Sequence, residues 1–437
     1  MRYSKYKNQD EFSLPSRRWP DQIIQKAPIW CSVDLRDGNQ ALIKPMGLER
    51  KLLLYKTLLE LGFKQIEVAF PAASEKEQQF IRHLVENHLV PNDVTLQVIM
   101  PLIQKHIETT FRTMQGAKRV NFHFYNSNSP FARRYIFKRD EKALLDFISQ
   151  HVKMIKERSQ SFDGEYLSFQ YTPEHFNLTD MELICKIAER IINLIQPSSK
   201  NPLIFNLPSS MEVSSPNKFA DRVEYFCRHF KSEKHIIISV HPHNDRGCAL
   251  AAAELALLAG AERVEGTLFG NGERAGNIDL VVLALNLLAM GVDPQLQIQK
   301  FMESKNILEY CMQYKLSPRH PYVGDLAFAA FSGTHQDAIR KGLLAFGQGH
   351  SSTWDVPYLL LDPRDLNLSL DDVIRINSQS GYAGIQHLIS IHFGTKNIAL
   401  LTKEHAKAWL QEIEKIEETA TQAEIHDYIL KEFEKLL

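Results

Sequence analysis

Short apolar runs that favour β-strands recur along roughly the first 300 residues, each ending in polar residues and followed by a segment with helical periodicity. Eight such runs are present, at intervals of about 25 to 45 residues. They are WCSVDLR (30–36), QIEVAFP (65–71), VTLQVIMP (94–101), RVNFHFYN (119–126), YLSFQYTPE (166–174), PLIFNLPS (202–209), HIIISVHPHND (235–245) and RVEGTLFGNGE (263–273). Eight strand–helix units are the number that closes a parallel (β/α)8 TIM barrel. A doubly wound open sheet is the competing α/β architecture, but no run leads into a glycine-rich phosphate loop, so we predict the barrel.

The alternation stops after about residue 300, where helical segments and loops follow. We therefore predict an N-terminal extension (1–28), a TIM-barrel catalytic domain (29–300) and a mostly helical C-terminal appendage (301–437). Within the appendage, residues 403–434 are strongly charged with one apolar stripe, a pattern typical of helix.

Composition excludes several classes of protein. The chain of 437 residues is 44% hydrophobic, which is enough to bury a large core. Its 51 basic and 52 acidic residues give a net charge of −1, so no global basic field favours nucleic acid or an anionic membrane. Five cysteines without C-x-x-C spacing argue against a disulfide framework and a thiolate zinc site. The sequence has no signal-like or membrane-spanning segment. We expect a cytoplasmic protein with small-molecule ligands.

A candidate metal site follows the seventh apolar run. His241 and His243 are two residues apart and so project to the same side of a strand. Asp37 follows the first run and Asn277 follows the eighth, and strands one, seven and eight are neighbours in a closed barrel. Two imidazoles with oxygen donors suit a divalent metal such as Zn²⁺, Mn²⁺ or Fe²⁺ with open positions for a substrate. The alternative is that the histidine pair only satisfies local backbone groups.

Arg36 lies beside Asp37 in the sequence, and a guanidinium next to a metal is well suited to hold a carboxylate through two hydrogen bonds. This indicates a substrate that carries both an oxo group and a carboxylate. Arg36 could instead form only a structural ion pair with Asp34 or Glu67. For Glu67 itself we expect a structural role, in which it holds Arg36 in place.

Seven motifs together resemble the 2-isopropylmalate synthases, particularly their longer bacterial and fungal branch. They are V-D-L-R-D-G-N-Q, H-F-Y-N-S, N-L-P, H-P-H-N-D-R-G, G-N-G-E-R-A-G-N, S-G-T-H-Q-D-A and N-S-Q-S-G. The resemblance runs from about residue 28 to about residue 395, in order. It is less specific for the substrate, because homocitrate, citramalate and methylthioalkylmalate synthases share the barrel and the metal ligands.

The resemblance implies a Claisen-type condensation of acetyl-CoA with 3-methyl-2-oxobutanoate. A divalent metal (Zn, Mg or Mn), held by Asp37, His241, His243 and Asn277, would polarise the keto group. Arg36 and Ser210 would hold the substrate carboxylate, with serine standing where relatives usually carry threonine. Activation by a monovalent cation is also compatible with the family. The residues that match the acceptor pocket are Ile99, His123, Thr172, Asn206 and Pro208.

The resemblance further implies that Glu174, His335 and Tyr358 form the constellation that makes the acetyl enolate, with Glu273 near the metal. His335 and Tyr358 belong to the appendage, which in the family reaches a neighbouring subunit, so we expect a homodimer. On the residues alone, His335 could instead be a helix-start residue capped by Gln336 and Asp337. Tyr358 could equally be a packing aromatic.

The chain also departs from the family pattern. Residues 396–437 do not match the C-terminal leucine-binding regulatory domain of the long enzymes, so we expect no leucine feedback. Ile99 and Thr172 stand where leucine and serine are usual, and the added β-branching narrows the pocket. Pyruvate or 2-oxobutanoate therefore remain alternative acceptors. Gln170 stands where related enzymes tend to carry glutamate, and the sequence does not explain the effect of this difference. A metal-dependent lyase and a catalytically silent binding subunit are the competing functions.

Overall fold

A computed structural model of the chain describes residues 5, 6, 10, 12–230, 232–370 and 373–437. The chain forms two compact units, 1–297 with 304–314 and 298–303 with 315–437. No helix among the described residues is both long and apolar enough to cross a membrane.

The first unit is a closed barrel of eight parallel strands in sequential order, with β1 paired to β8, which confirms the predicted fold class. The strands are β1 (Ile29–Ser32), β2 (Gln65–Ala69), β3 (Thr95–Pro101), β4 (Arg119–Ser127), β5 (Tyr166–Glu174), β6 (Leu203–Ser209), β7 (Ile236–Pro242) and β8 (Arg263–Gly266). The helices between and after them are α1 (Leu48–Glu60), α2 (Glu75–Glu86), α3 (Gln104–Thr113), α4 (Glu141–Gln160), α5 (Met181–Ile195), α6 (Pro216–His229), α7 (Ala249–Leu258) and α8 (Leu280–Ala289).

Four of the eight barrel helices begin at a side chain that accepts a hydrogen bond from their first amide groups. Ser74, Asp140, Asp180 and Asp279 accept hydrogen bonds from the opening amides of α2, α4, α5 and α8. Each of these caps follows a strand and its connecting loop. They therefore set where the chain turns back from the carboxyl ends of the strands, the end of the barrel at which the candidate residues lie.

The barrel interior contains a fully buried polar layer instead of aliphatic side chains alone. Its members are Glu67, Gln97, Asn121, Gln170, Arg263 and Glu265, contributed by five strands. Hydrogen bonds link them, including those from Gln97 Nε2 and Arg263 Nη1 to Glu265 Oε1, both 2.8 Å. Because buried polar groups are costly unless paired, this layer fixes the strands in one register around the site above it.

The second unit is mostly helical. Its helices include α10 (Gly333–Gly347), α11 (Tyr382–Phe393), α12 (Lys403–Ile416) and α13 (Gln422–Glu434), while α9 (Phe301–Met312) contributes residues to both units. The charged stretch 403–434 forms two helices, and Thr402 and Thr421 each begin one through a capping box. Trp409, Ile413 and Phe433 belong to the apolar cluster that packs α11, α12 and α13 together.

Candidate functional site

Two imidazoles and a carboxylate converge at the carboxyl ends of β1 and β7. One ligand atom from each of Asp37, His241 and His243 lies within 4.8 Å of the others. Asp37 Oδ2 is 3.5 Å from His241 Nε2 and 4.0 Å from His243 Nε2. The side chains of Asp37 and His241 are buried, and that of His243 is 11% exposed. Both histidines therefore present the same ring nitrogen to one point beside the carboxylate.

Asn277 supplies a fourth donor to this cluster. Its Nδ2 donates to Asp37 Oδ2 (2.8 Å) and to the Asn271 carbonyl (3.0 Å), which assigns its amide orientation. Its Oδ1 is buried and has no hydrogen-bond partner among the described residues. A buried carbonyl oxygen without a donor is costly, and a cation would satisfy it. Two imidazoles, a carboxylate and this oxygen thus fit a divalent metal ion.

Two departures from regular secondary structure position the candidate metal ligands. Residues Asp34–Gly38 form a single π-helical turn after β1, and such turns often occur at functional sites. β7 ends at Pro242 and β8 at Gly266, so the polar residues that end these two runs, up to 245 and 273, lie beyond the strands. His243 instead forms an isolated antiparallel bridge with Asn277.

Glycines shape the loop that brings Asn277 to the site. Gly276 has φ +96°, and a Cβ there would lie 1.9 Å from the Gly270 carbonyl oxygen. At Gly272, with φ +140°, a Cβ would lie 2.0 Å from Asn277 Nδ2. Only glycine fits these positions, which gives the G-N-G-E-R-A-G-N motif its physical reason.

The charges in the cluster shift the pKa of each ligand. Burial opposes ionisation of Asp37, but Arg36 and His241 outweigh it and hold its pKa far below the usual value. Burial also opposes protonation of His241, yet its hydrogen bonds to Asp37 and Glu265 raise its pKa to about 9. Burial and the charge of His241 lower the pKa of His243 to about 4. The cluster therefore favours the charged form of His241 and the neutral form of His243, whereas a metal ion requires the neutral form of both rings.

Glu265 orients His241 and was not singled out from the sequence. Its Oε2 accepts from His241 Nδ1 (3.0 Å) and from Asn206 Nδ2 (2.9 Å). Gln170 Nε2 donates to the other oxygen at 2.8 Å, so the unexplained glutamine supplies a donor to this carboxylate. A carboxylate behind a metal-binding histidine fixes the ring and its tautomer. The only signal in the sequence was a lone acid inside a strand run, R-V-E-G.

Arg36 is held in place by carboxylates on either side. Its Nε donates to Glu67, and its Nη1 donates to Asp37 Oδ1 at 3.0 Å; an ion pair with Asp34 is absent from the ion pairs described for the chain. Glu67 Oε2 also lies 2.6 Å from His123 Nδ1, and His123 Nε2 lies 2.6 Å from the Thr172 hydroxyl. This chain of contacts connects Arg36 to the wall of the cavity.

The cluster opens into a cavity of about 340 Å³ at the carboxyl ends of the strands. Twelve residues expected at the site line it: Arg36, Asp37, Ile99, His123, Thr172, Glu174, Asn206, Pro208, Ser210, His241, His243 and Glu273. Four lining residues were missed from the sequence: Gln40, Phe70, Tyr125 and Arg274. Arg274 stands inside the G-N-G-E-R-A-G-N motif and Gln40 ends V-D-L-R-D-G-N-Q, so both motifs offered a signal.

The polar lining residues differ in their partners. Gln40 Nε2 donates to Asp37 Oδ1 (3.1 Å) and to Glu273 Oε1 (3.3 Å), which links Glu273 to the metal cluster. The Ser210 hydroxyl accepts from the His175 amide at 2.8 Å, leaving its own hydrogen for a ligand. Burial raises the pKa of Tyr125, and the nearby carboxylate of Glu174 raises it further.

His335 and Tyr358 lie in the second unit, where their rings stack with centroids 4.0 Å apart. His335 is the third residue of α10, which follows Ser332. Gln336 does not cap it, because its side chain donates to the carbonyls of Ala330 and Arg375. Tyr358 has φ +64° and is 64% exposed, so only one ring face is packed. These two residues therefore form one exposed pair.

Comparison with known folds agrees with the barrel. Residues 27–308 match the HMGL-like family. Two solved HMG-CoA lyases, from Brucella melitensis and Pseudomonas aeruginosa, align with TM-scores of 0.52. They are 14% and 15% identical to the chain, cover 66% of it, and are themselves covered over 99% and 93% of their lengths. At this identity the likeness shows the fold alone.

Sequence comparison is more specific. Residues 325–390 match the family described as alpha-isopropylmalate synthase, post-catalytic domain-like. The 2-isopropylmalate synthase of Rhodospirillum rubrum is 45% identical over 92% of the chain and 72% of its own length. Those of Rhizobium johnstonii and Clostridium acetobutylicum are 47% and 45% identical over 89% and 90% of the chain, and over 70% and 71% of their own lengths. The chain therefore belongs to the 2-isopropylmalate synthase family of HMGL-like barrel enzymes.

Proposed function

We propose that the chain condenses the acetyl group of acetyl-CoA with 3-methyl-2-oxobutanoate, giving 2-isopropylmalate and free CoA. One observation carries the proposal: Asp37, His241, His243 and Asn277 surround one point beside Arg36 in a cavity of about 340 Å³. A cation next to a guanidinium suits an acceptor with adjacent keto and carboxylate groups.

The four donors would hold a divalent ion, with Zn²⁺, Mg²⁺ and Mn²⁺ as candidates and a monovalent cation as a further activator. When bound, the divalent ion supplies Lewis acidity to the keto oxygen. Arg36, held rigid by Glu67 and Asp37, binds the carboxylate of the keto acid. The Ser210 hydroxyl donates to the same carboxylate while accepting from the His175 amide.

The acetyl methyl group must lose a proton before the new carbon–carbon bond forms. We assign this step to His335 with Tyr358, and Glu174 orients or deprotonates a partner group. The enolate carbon attacks the keto carbon, and the resulting alkoxide takes up, through water near Glu273, the proton that the base removed from the methyl group. Water then cleaves the thioester, which releases CoA as the thiol and leaves the second carboxylate on the product.

We further propose a homodimer in which His335 and Tyr358 of the partner subunit complete each site. Co-expression of His335→Ala chains with His241→Ala chains tests this arrangement. If the sites are shared between subunits, each mixed dimer has one intact site of its two. Half of the dimers in a random mixture are mixed, so we expect roughly a quarter of the wild-type activity. Activity no higher than in either single variant would show that each site uses its own chain.

The direct test of function is thiol release from acetyl-CoA with a panel of 2-keto acids, followed by mass analysis of the product. We expect 3-methyl-2-oxobutanoate to give the highest catalytic efficiency and chelation to abolish turnover, with recovery on adding Mn²⁺, Mg²⁺ or Zn²⁺. Preference for pyruvate or 2-oxobutanoate would reassign the acceptor within the same chemistry. Absence of turnover with every keto acid in the metal-loaded protein would favour a binding subunit. Insensitivity to leucine stays a prediction from the sequence.

A further inference from the structure

The size of the cavity determines where coenzyme A must lie. A volume of about 340 Å³ is at the lower end of ligand pockets and suits a small keto acid with an acetyl group. Coenzyme A is far larger, since it adds a pantetheine arm, an adenosine and three phosphate groups to the thioester. Its nucleotide must therefore rest on the surface around the mouth of the cavity.

The loop between β4 and α4, residues 130–140, presents an unusual set of exposed apolar side chains. We call it the aromatic–basic loop. Phe131 is 66% exposed, Tyr135 58%, Ile136 61% and Phe137 44%. Contiguous exposed apolar groups of this size generally mark a binding surface on a soluble protein. The Phe131 and Tyr135 rings lie together, with centroids 5.1 Å apart.

Cations are interleaved with these rings. The loop contains Arg133, Arg134, Lys138 and Arg139 within a chain whose net charge is only −1. The Arg134 guanidinium lies 5.1 Å from the Tyr135 ring centroid. The one carboxylate of the loop, Asp140, accepts from the Ala143 amide at 2.8 Å as the cap of α4. Aromatic faces beside guanidinium groups are complementary to a purine ring that carries phosphates.

The loop is continuous with the wall of the cavity. Tyr125, near the end of β4, lines the cavity, and the Asn128 amide donates to the Glu174 carbonyl at 3.2 Å. Arg133 Nε donates to the Asn128 carbonyl at 3.2 Å, which anchors the loop to this point. Phe131 follows Tyr125 by six residues, so their Cα atoms are at most about 20 Å apart. The pantetheine arm of the coenzyme can span such a distance.

We propose that the aromatic–basic loop binds the nucleotide end of coenzyme A, with adenine against Phe131 and Tyr135 and the phosphates paired with Arg134 and Lys138. This inference rests on the proposed function, because it assumes that the cavity receives the thioester. A second copy of the chain is the competing occupant of the same surface.

Direct binding tests the loop without requiring turnover. The affinities of CoA and 3′-dephospho-CoA are measured for the wild type, for Tyr135→Ser and for the double variant Arg134→Ser/Lys138→Ser. We expect the double variant to bind CoA about tenfold more weakly, with a smaller loss for 3′-dephospho-CoA. Tyr135→Ser should weaken both ligands similarly. The matched control is Arg158→Ser, since Arg158 is exposed at the opposite end of α4.

Kinetics provides a second readout. The acetyl thioester of N-acetylcysteamine lacks the nucleotide, so its catalytic efficiency should differ less than about twofold between the double variant and the wild type. With acetyl-CoA, KM should rise while kcat stays similar. Unchanged CoA affinity in both variants, or dissociation of a dimer without loss of CoA affinity, overturns the proposal. If the wild type binds CoA but condenses no keto acid, the proposed function fails. The comparison of CoA affinities then still tests whether the aromatic–basic loop binds the nucleotide.

Discussion

The Nδ1 atom of His241 lies 3.0 Å from Oε2 of Glu265, so the opposite nitrogen of the same ring faces Asp37. Glu265 is fully buried, and Arg263, Gln97 and Gln170 donate to its other oxygen. The orientation of a proposed metal ligand is therefore set by a carboxylate from the middle of the barrel. A glutamate at position 170 would face that carboxylate without a hydrogen to donate unless it were protonated.

Glu265→Asp should weaken metal binding by about 10- to 100-fold, because it keeps the charge beside Arg263 but withdraws the acceptor from His241. Metal affinity is measured by titration of the chelator-treated protein with Zn²⁺ or Mn²⁺, alongside thermal unfolding. Glu189→Asp is the matched control, since Glu189 pairs with His229 at 2.8 Å on the surface. Equal metal affinity in the two variants would remove Glu265 from this role.

Arg36→Lys should raise KM for the keto acid tenfold or more, because an ammonium group cannot make the paired hydrogen bonds of a guanidinium. KM for acetyl-CoA should change little. Lysine keeps a positive charge beside Glu67, which limits the loss of stability. The free energy of unfolding in denaturant measures this loss. A keto-acid KM close to that of the wild type would restrict Arg36 to a structural ion pair.

The ends of the strands were the part of the site that the sequence could predict. Asp37, His241, His243 and Asn277 were identifiable because neighbouring parallel strands bring their carboxyl ends together, whatever the details of the loops. The backbone conformation after the strands could not be predicted. Phe269 and Arg274 adopt positive φ after β8, and this change of backbone leaves no signal in an apolar run such as RVEGTLFGNGE.

The polar interior could not be predicted because it depends on register across strands. Gln97 contacts Glu265 from a strand 168 positions away in sequence, and Gln170 contacts it from 95 positions away. A single glutamine or glutamate within an apolar run does not reveal whether it faces the barrel axis or the helices. The family resemblance gave Thr172 as a pocket residue but not its hydrogen bond to His123.

Asp34→Asn should stabilise the protein at neutral pH but not at pH 4. Burial raises the pKa of Asp34 to about 7, although Ser32 and the Leu268 amide favour its ionised form. Between its ordinary value of about 4 and pH 7, the carboxyl ionises in the unfolded chain while it stays protonated in the fold. The wild type therefore loses up to a few kcal/mol as pH rises through this range, and the asparagine variant avoids that loss. Denaturant unfolding from pH 4 to 8 measures the difference, and parallel curves for the two proteins would contradict it.

Thr172→Ser should improve use of the branched acceptor relative to pyruvate. The Thr172 hydroxyl lies 2.6 Å from His123 Nε2 and accepts from Asn206 Nδ2 at 3.2 Å, so serine preserves these contacts and removes only a methyl group from the cavity wall. One methyl group is worth about 1–3 kcal/mol in discrimination, so the ratio of kcat/KM for 3-methyl-2-oxobutanoate over pyruvate should rise about tenfold. Thr172→Val is the matched control, because it keeps the branch but leaves His123 and Asn206 without their hydroxyl partner. It should lower kcat/KM for both acceptors without changing their ratio. A ratio unchanged in Thr172→Ser would show that other wall residues, such as Ile99, set the preference.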